Sequence, residues 1–190
     1  TGAAPTPVAL INWFDKIGVK IQEAYAMTEN TCYSHVTFKD KIVVGSVGRA
    51  LPKCEVKLNE NNEILIKHDA LMNGYYKDKE ETDRTIIDGW LYTGDEGFID
   101  DQGFLKITGR VKDIFKTSKA KYVAPSPIEM KFSSNKDIEQ VCVVGDGIPQ
   151  PIALVVLSES GKIKKELDII ESLDNTLVNV NNTLEHHEKL

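Results

Sequence analysis

Two stretches of alternating apolar and polar residues, each folded about a polar turn, constrain the first half of this chain more than any other feature. "CEVKLNENNEILIK", Cys54 to Lys67, alternates on both sides of "NENN", and "GFIDDQGFLKIT" repeats the pattern around Asp100-Asp101-Gln102-Gly103. Period-two alternation broken by a polar turn is the pattern of a β-hairpin. The spacing therefore predicts two hairpins and a first half rich in antiparallel strands. Helical spacing is found in "VALINWFDKIG", where Val8, Leu10, Ile11, Phe14 and Ile17 recur along a helix that Gly18 stops, and a short strand is expected to follow. "DKEETDRTI" predicts a short amphipathic helix.

After Arg110 the texture changes to alternating elements. "YVAP" is extended, "PIEMKFSS" is a helix with Pro127 near its start, and "IEQVCVVGD" and "IALVVLS" are strands. Two helices complete this part, the last expected from about Ser172 to the end. The fold class is α+β, with a strand-rich unit over residues 1–110 and a small α+β unit over 111–190. The boundary is placed in "GRVKD", where the two textures meet.

A chain of 190 residues with 41% hydrophobic content can bury a core. Its net charge of −6 argues against a nucleic-acid partner, because neutralising phosphates needs a surplus of Lys and Arg. Cys32, Cys54 and Cys142 are widely spaced beside apolar segments, which suits free thiols in a reducing compartment; the expectation is cytoplasmic. No apolar run is long enough to span a membrane and no signal-peptide pattern opens the chain. The start at Thr1, in the turn-like "TGAAPTP", leads us to expect a piece of something longer.

Several residues could carry chemistry. "YTGDEG" presents Asp95 just after a strand, where a carboxylate can hold a vicinal diol or, equally, satisfy its own turn. Arg110 ends the following hairpin and could reach the same diol, a phosphate, or a surface carboxylate. "YAMTEN" offers Tyr25 as a stacking face, Thr28 as a hydroxyl for phosphate oxygen and Glu29 as a hard ligand for Mg²⁺; a strand end and polar turn is the alternative. Lys116, Lys119 and Lys121 in "KTSKAKYV" could attract an anion or form a solvated loop. His186 and His187 lack other metal-ligand residues nearby in sequence.

The segments "TGAAP", "EAYAMTEN", "GSVGRALP", "GWLYTGDEG" and "GFLKITGRVKDIFKTSKAKYVAPSPIE" follow one another over nearly the whole chain. In that order they resemble the adenylate-forming superfamily of acyl-CoA synthetases, luciferases and adenylation domains, and most closely its long-chain fatty-acid–CoA ligases. The resemblance implies an enzyme that activates a fatty acid with ATP and Mg²⁺ to an acyl-adenylate, then rotates a C-terminal lid so that CoA can attack. It implies that residues 1–110 are the C-terminal part of the large nucleotide-binding domain and residues 111–190 the lid. Gly2, Ala3 and Ala4 would lie against adenine with Tyr25 stacked on it, Thr28 would touch phosphate, and Glu29 would bind Mg²⁺. Asp95 and Arg110 would hold the ribose hydroxyls. Lys112 falls at the hinge, and Lys116 matches a lysine that some relatives bring to the active site in the second conformation.

The resemblance also sets departures. The phosphate loop found upstream in the family, and the lysine beyond the last residue here, are not in the sequence, so residues 1–190 alone are expected to be inactive. Ala26 and Ala120 stand where the family carries glycine. If the position of Ala120 needs φ > 0, alanine there costs roughly 1 kcal/mol or more. Two other readings stay open: a non-catalytic nucleotide-sensing or protein-binding module of the same fold, and an adenylation domain that loads a carrier protein. "YVAPSPIE" favours the CoA ligases over the latter.

Overall fold

The computed structural model describes residues 1–4 and 6–190, so Pro5 of "TGAAP" lies outside the described residues. The chain forms two compact units, Thr1–Val111 and Lys112–Leu190. The fold is α+β, built on antiparallel sheets.

The first unit opens with helix α1 (Val8–Lys16), which Gly18 ends at φ 83. Among its residues only Ile11 is buried; Val8, Leu10 and Trp13 are exposed, as is Ile17 beyond its end, so the helix presents more apolar surface to solvent than its spacing suggests. Strands β1 (Ala24–Tyr25), β2 (His35–Val36) and β3 (Arg49–Ala50) make a small antiparallel sheet. The expected hairpin is β4 (Glu55–Leu58) and β5 (Glu63–Lys67), paired from Glu55↔Lys67 to Leu58↔Ile64. Asn59 makes its turn: Oδ1 accepts from the N–H of Asn61 at 2.9 Å and of Glu63 at 3.0 Å.

Helix α2 (Lys79–Thr85), capped by Asp78, leads into β6 (Ile86–Ile87), β7 (Trp90–Ile99) and β8 (Leu105–Arg110). Helix α2 is the short helix expected: Glu81, Thr82 and Thr85 are half-buried on one face and Lys79, Glu80, Asp83 and Arg84 are exposed on the other, although none of its residues is fully buried. Strand β7 is the spine of the second sheet, with β5 along one edge and β6, then β8, along the other. The second hairpin turns where expected, Asp100 Oδ1 accepting from Gln102 N and Phe104 N, both at 2.9 Å. Ile64, Leu65 and Ile66 are all buried, so β5 is covered on both faces, where alternation alone predicts one. Ile64, Ile66, Leu91 and Leu105 form the core, each contributing on the order of 1.5–3 kcal/mol by leaving water.

The second unit contains β9 (Phe115–Lys116), β10 (Tyr122–Val123), α3 (Pro125–Phe132), β11 (Ile138–Val144), β12 (Ile152–Leu157), α4 (Glu159–Lys162) and α5 (Glu166–Asn181). Pro125 rather than Pro127 takes the first helical position, where the N–H it lacks needs no partner. Val123, Ile128, Phe132, Val143 and Val180 form its core. Helix α5 begins six residues before Ser172 and stops at Asn181 instead of running to the end. Glu166 and Asp168 suit its first turn electrostatically. At the other end the Asn181 amide exchanges hydrogen bonds with the Leu190 backbone, turning the chain back. Among the described residues, no helix is long and apolar enough to cross a membrane.

Candidate functional site

Strand β7 is irregular around Asp95. Between the pairs Leu65↔Tyr92 and Glu63↔Glu96, only Ile64 stands on β5, but Thr93, Gly94 and Asp95 stand on β7. On the other edge, Glu96↔Gly109 is followed by Gly97↔Ile107, leaving Thr108 of β8 without an opposite residue. A bulge of this kind bends the strand, re-aims a side chain and removes backbone partners. Asp95 is therefore inside a ten-residue strand, not after one as its sequence suggested. The physical reason is Gly94, whose φ of 71 lets the strand kink and continue.

Side chains replace the missing ladder bonds. Gly94 N donates to Glu63 Oε1 at 3.0 Å, Asp95 N to Thr93 Oγ1 at 3.1 Å, and Thr93 Oγ1 in turn donates to Ile64 O at 2.8 Å. Asp95 pairs in register with Arg110, and Arg110 Nε lies 2.9 Å from Asp95 Oδ1. The Tyr25 phenol, at the end of β1, donates to Asp95 Oδ2 at 2.7 Å. Asp95 is buried and Arg110 is 58% exposed at its side chain, so the pair has one inner and one outer member. Burial, then the charge and hydrogen bond of Asp95, push the Tyr25 hydroxyl well above the ordinary tyrosine range, so it stays a donor. The His35 ring is 6.0 Å from that of Tyr25 and tilted 48°. Burial lowers His35 to about 4, keeping it neutral.

Three residues past Tyr25, Thr28 opens a 3₁₀ turn over Thr28–Asn30, with its side chain exposed. Glu29 Oε1 accepts from the Tyr75 hydroxyl at 2.8 Å, which orients its carboxylate. One fixed carboxylate fits Mg²⁺, a metal commonly held by one or two carboxylates together with phosphate oxygens. The first residues run beside β1: Thr1 N donates to Gln22 O at 2.7 Å and Ala24 N to Thr1 O at 2.9 Å. Gly2 sits so close that a Cβ there would meet Ala24 O at 3.3 Å, and Ala3 takes φ 69. The structure thus brings Tyr25, Asp95 and Arg110 into direct contact and lays Gly2 against β1.

Lys112 and Lys116 belong to the second unit. Lys112 is its first residue, exposed in a turn, directly after Val111, whose N–H donates to Gly94 O at 2.9 Å. Lys116 ends β9 with Nζ 5.2 Å from the centre of the Tyr122 ring. The loop between β9 and β10 is closed by Thr117 N to Lys121 O and Ala120 N to Thr117 O, both 2.9 Å. It is also held by Ser118 N to Ile148 O at 3.0 Å and Gly147 N to Lys116 O at 3.0 Å. Ala120 has φ 59, so the loop does impose the left-handed conformation on an alanine.

Two family models cover most of the chain: AMP-binding enzyme over residues 1–76 and AMP-binding enzyme C-terminal domain over residues 112–190. The chain belongs to the AMP-binding enzyme family. A long-chain-fatty-acid–CoA ligase, FadD15 of Mycobacterium bovis, is 28% identical over 100% of this chain and 34% of its own length. The 4-coumarate–CoA ligase-like 1 of Arabidopsis thaliana is 35% identical over 87% of this chain and 35% of its own. The o-succinylbenzoate CoA synthetase of Bacillus subtilis, solved with ATP and magnesium, superposes with a TM-score of 0.80 at 24% identity, covering 99% of this chain and 40% of that one. The chain thus spans about a third of the length of the curated relatives it matches.

In this AMP-binding chain, a carboxylate has about four acceptor positions, and Tyr25 and Arg110 occupy two at Asp95. Two remain, enough to accept from two adjacent hydroxyls, and the terminal nitrogens of Arg110 make no hydrogen bond or ion pair among the described residues. The residues missed in the sequence are those that hold others: Glu63, Thr93 and Tyr75. Only Thr93, next to Gly94, carried a local signal; Glu63 and Tyr75 act across 31 and 46 residues of chain.

Proposed function

We propose that these residues form part of an ATP-dependent ligase that joins a carboxylic acid to CoA, and that the acid is a long-chain fatty acid. The acid's carboxylate oxygen attacks the α-phosphorus of ATP, expelling pyrophosphate; the CoA thiolate then attacks the acyl carbon, expelling AMP. The first unit belongs to the large nucleotide-binding domain and the second is the lid. The observation that carries the reading is the buried Asp95 carboxylate, fixed from two sides by Tyr25 and Arg110 with acceptor capacity left over. That is an arrangement able to hold a ribose diol without having to be ordered by it.

Gly2, Ala3 and Ala4 line the adenine edge beside Tyr25, and Thr28 donates to phosphate. Glu29 holds Mg²⁺, which when bound supplies charge neutralisation at the phosphates. Lys112 is the pivot, and Lys116 comes to the second half-reaction. Free thiols at Cys32, Cys54 and Cys142 suit a cytoplasmic setting.

A second reading, an aromatic acid as substrate, is favoured by the 4-coumarate–CoA ligase-like relative, whose identity is the higher of the two. The test is pyrophosphate exchange and CoA-thioester formation by the full-length enzyme containing these residues, offered palmitate, coumarate or succinylbenzoate. The highest kcat/KM is expected for palmitate. A preference for either aromatic acid replaces the fatty-acid assignment, and no exchange with any acid points to a non-catalytic module.

A further inference from the structure

Glu63 lies outside every role assigned above, yet its side chain does the work of a backbone acceptor. At the bulge the β5–β7 ladder offers Gly94 no carbonyl, and the Glu63 carboxylate takes that N–H instead, at 3.0 Å. Its other oxygen, Oε2, accepts from Asn59 Nδ2 at 3.0 Å, and Asn59 Oδ1 is fixed by two backbone N–H groups of its own turn. The chain of contacts runs from the β4–β5 turn through Asn59 and Glu63 to Gly94, the residue before Asp95. Gly94 is free to adopt many backbone conformations, so something outside it has to select φ 71.

We infer that Glu63, held by Asn59, is a positioning residue for the nucleotide: by fixing Gly94 it sets where the Asp95 carboxylate points, and so the affinity for a ribose diol. This rests on the reading of Asp95 as ribose clamp. Glu63 itself touches neither Asp95's carboxylate oxygens nor Arg110 or Tyr25 by any hydrogen bond, so its effect passes through the backbone. A hydrogen bond to a charged group is worth enough that its loss should weaken nucleotide binding about tenfold or more.

The test compares Glu63→Ala, Glu63→Gln and Asp95→Ala in the full-length enzyme, reading KM for ATP, KM for the acid, and exchange of the Gly94 amide. Glu63→Ala should raise the ATP KM about tenfold, leave the acid KM unchanged and deprotect Gly94. Glu63→Gln keeps an acceptor oxygen for Gly94 but sets its NH2 against Asn59 Nδ2, so it should restore the ATP KM only in part, to a value between those of wild type and Glu63→Ala. If Asp95→Ala raises the ATP KM and Glu63→Ala does not, the inference is overturned while the clamp stands. If Asp95→Ala has no effect, the clamp reading fails and the inference with it. Equal rises in both KM values, or no rescue by glutamine, would show a merely structural glutamate. Should Glu63→Ala not fold, Glu63→Asp, one methylene too short to reach Gly94, makes the same comparison.

Discussion

The hydroxyl of Tyr25 donates to Oδ2 of Asp95 at 2.7 Å across 70 residues of chain, so the ring read as an adenine platform is also tied to the residue read as a ribose clamp. The two roles separate by substitution. Tyr25→Phe keeps the aromatic face but removes one donor from a buried carboxylate, a loss of about 1–3 kcal/mol. In the full-length enzyme the ATP KM should rise several-fold or more with Tyr25→Phe and further with Tyr25→Ala. A phenylalanine variant with wild-type ATP kinetics would reduce Tyr25 to a stacking surface alone.

Ala120 carries the clearest backbone strain that bears on function. With φ 59 and no side-chain hydrogen bond to compensate, it occupies a region that costs an L-residue roughly 1–2 kcal/mol. Ala120→Gly should therefore stabilise the second unit by up to about 1 kcal/mol, the entropy of an added glycine offsetting part of the gain. Denaturant unfolding followed by amide exchange within residues 112–190 measures it. A destabilised variant would mean that the alanine methyl makes contacts outweighing the strain.

Asp137 should govern the acid limb of the second unit. Hydrogen bonds from Lys164 Nζ and Ser172 Oγ, both 2.7 Å to Oδ2, hold its carboxyl below the ordinary value of 3.8. A depressed folded-state value contributes stability that is fully present above the ordinary value and is lost as pH falls through the folded one. Lys164→Met should accordingly destabilise the unit at neutral pH, with the difference from wild type shrinking as pH drops below 3.8. Exchange of α5 amides across that range is the measurement; a pH-independent difference would assign the loss to packing.

Lys112 begins the second unit immediately after Val111, whose N–H is committed to Gly94. Proline at 112 fixes φ near −65° and removes an N–H, narrowing the backbone states available to a pivot while leaving both cores untouched. In the full-length enzyme, Lys112→Pro should damage thioester formation from preformed acyl-adenylate far more than pyrophosphate exchange. Equal losses in both half-reactions, or none, would make Lys112 an ordinary linker residue.

The sequence alone determined what depends on near neighbours. Both hairpins and their turns were legible because Asn59 and Asp100 bond their own backbone within four residues. The helix over Val8–Lys16 was legible in apolar spacing and a following glycine, and the change of texture after Arg110 falls within two residues of the first residue of the second unit. The family was legible in the order of five segments rather than in any one of them. Tertiary structure decided what depends on register between distant strands. The bulge at Thr93–Asp95 exists only because β5 offers one residue where β7 has three, and nothing near Asp95 in sequence reveals that count. The β5–β7 pairing also makes Glu63 an acceptor for a backbone 31 residues away. Packing against other parts of the domain covers both faces of β5 and sets Tyr25, on a different sheet, against Asp95. Periodicity reports which face of an element is apolar, but the partner across the sheet is chosen by the whole domain, and at this site the partners set the chemistry.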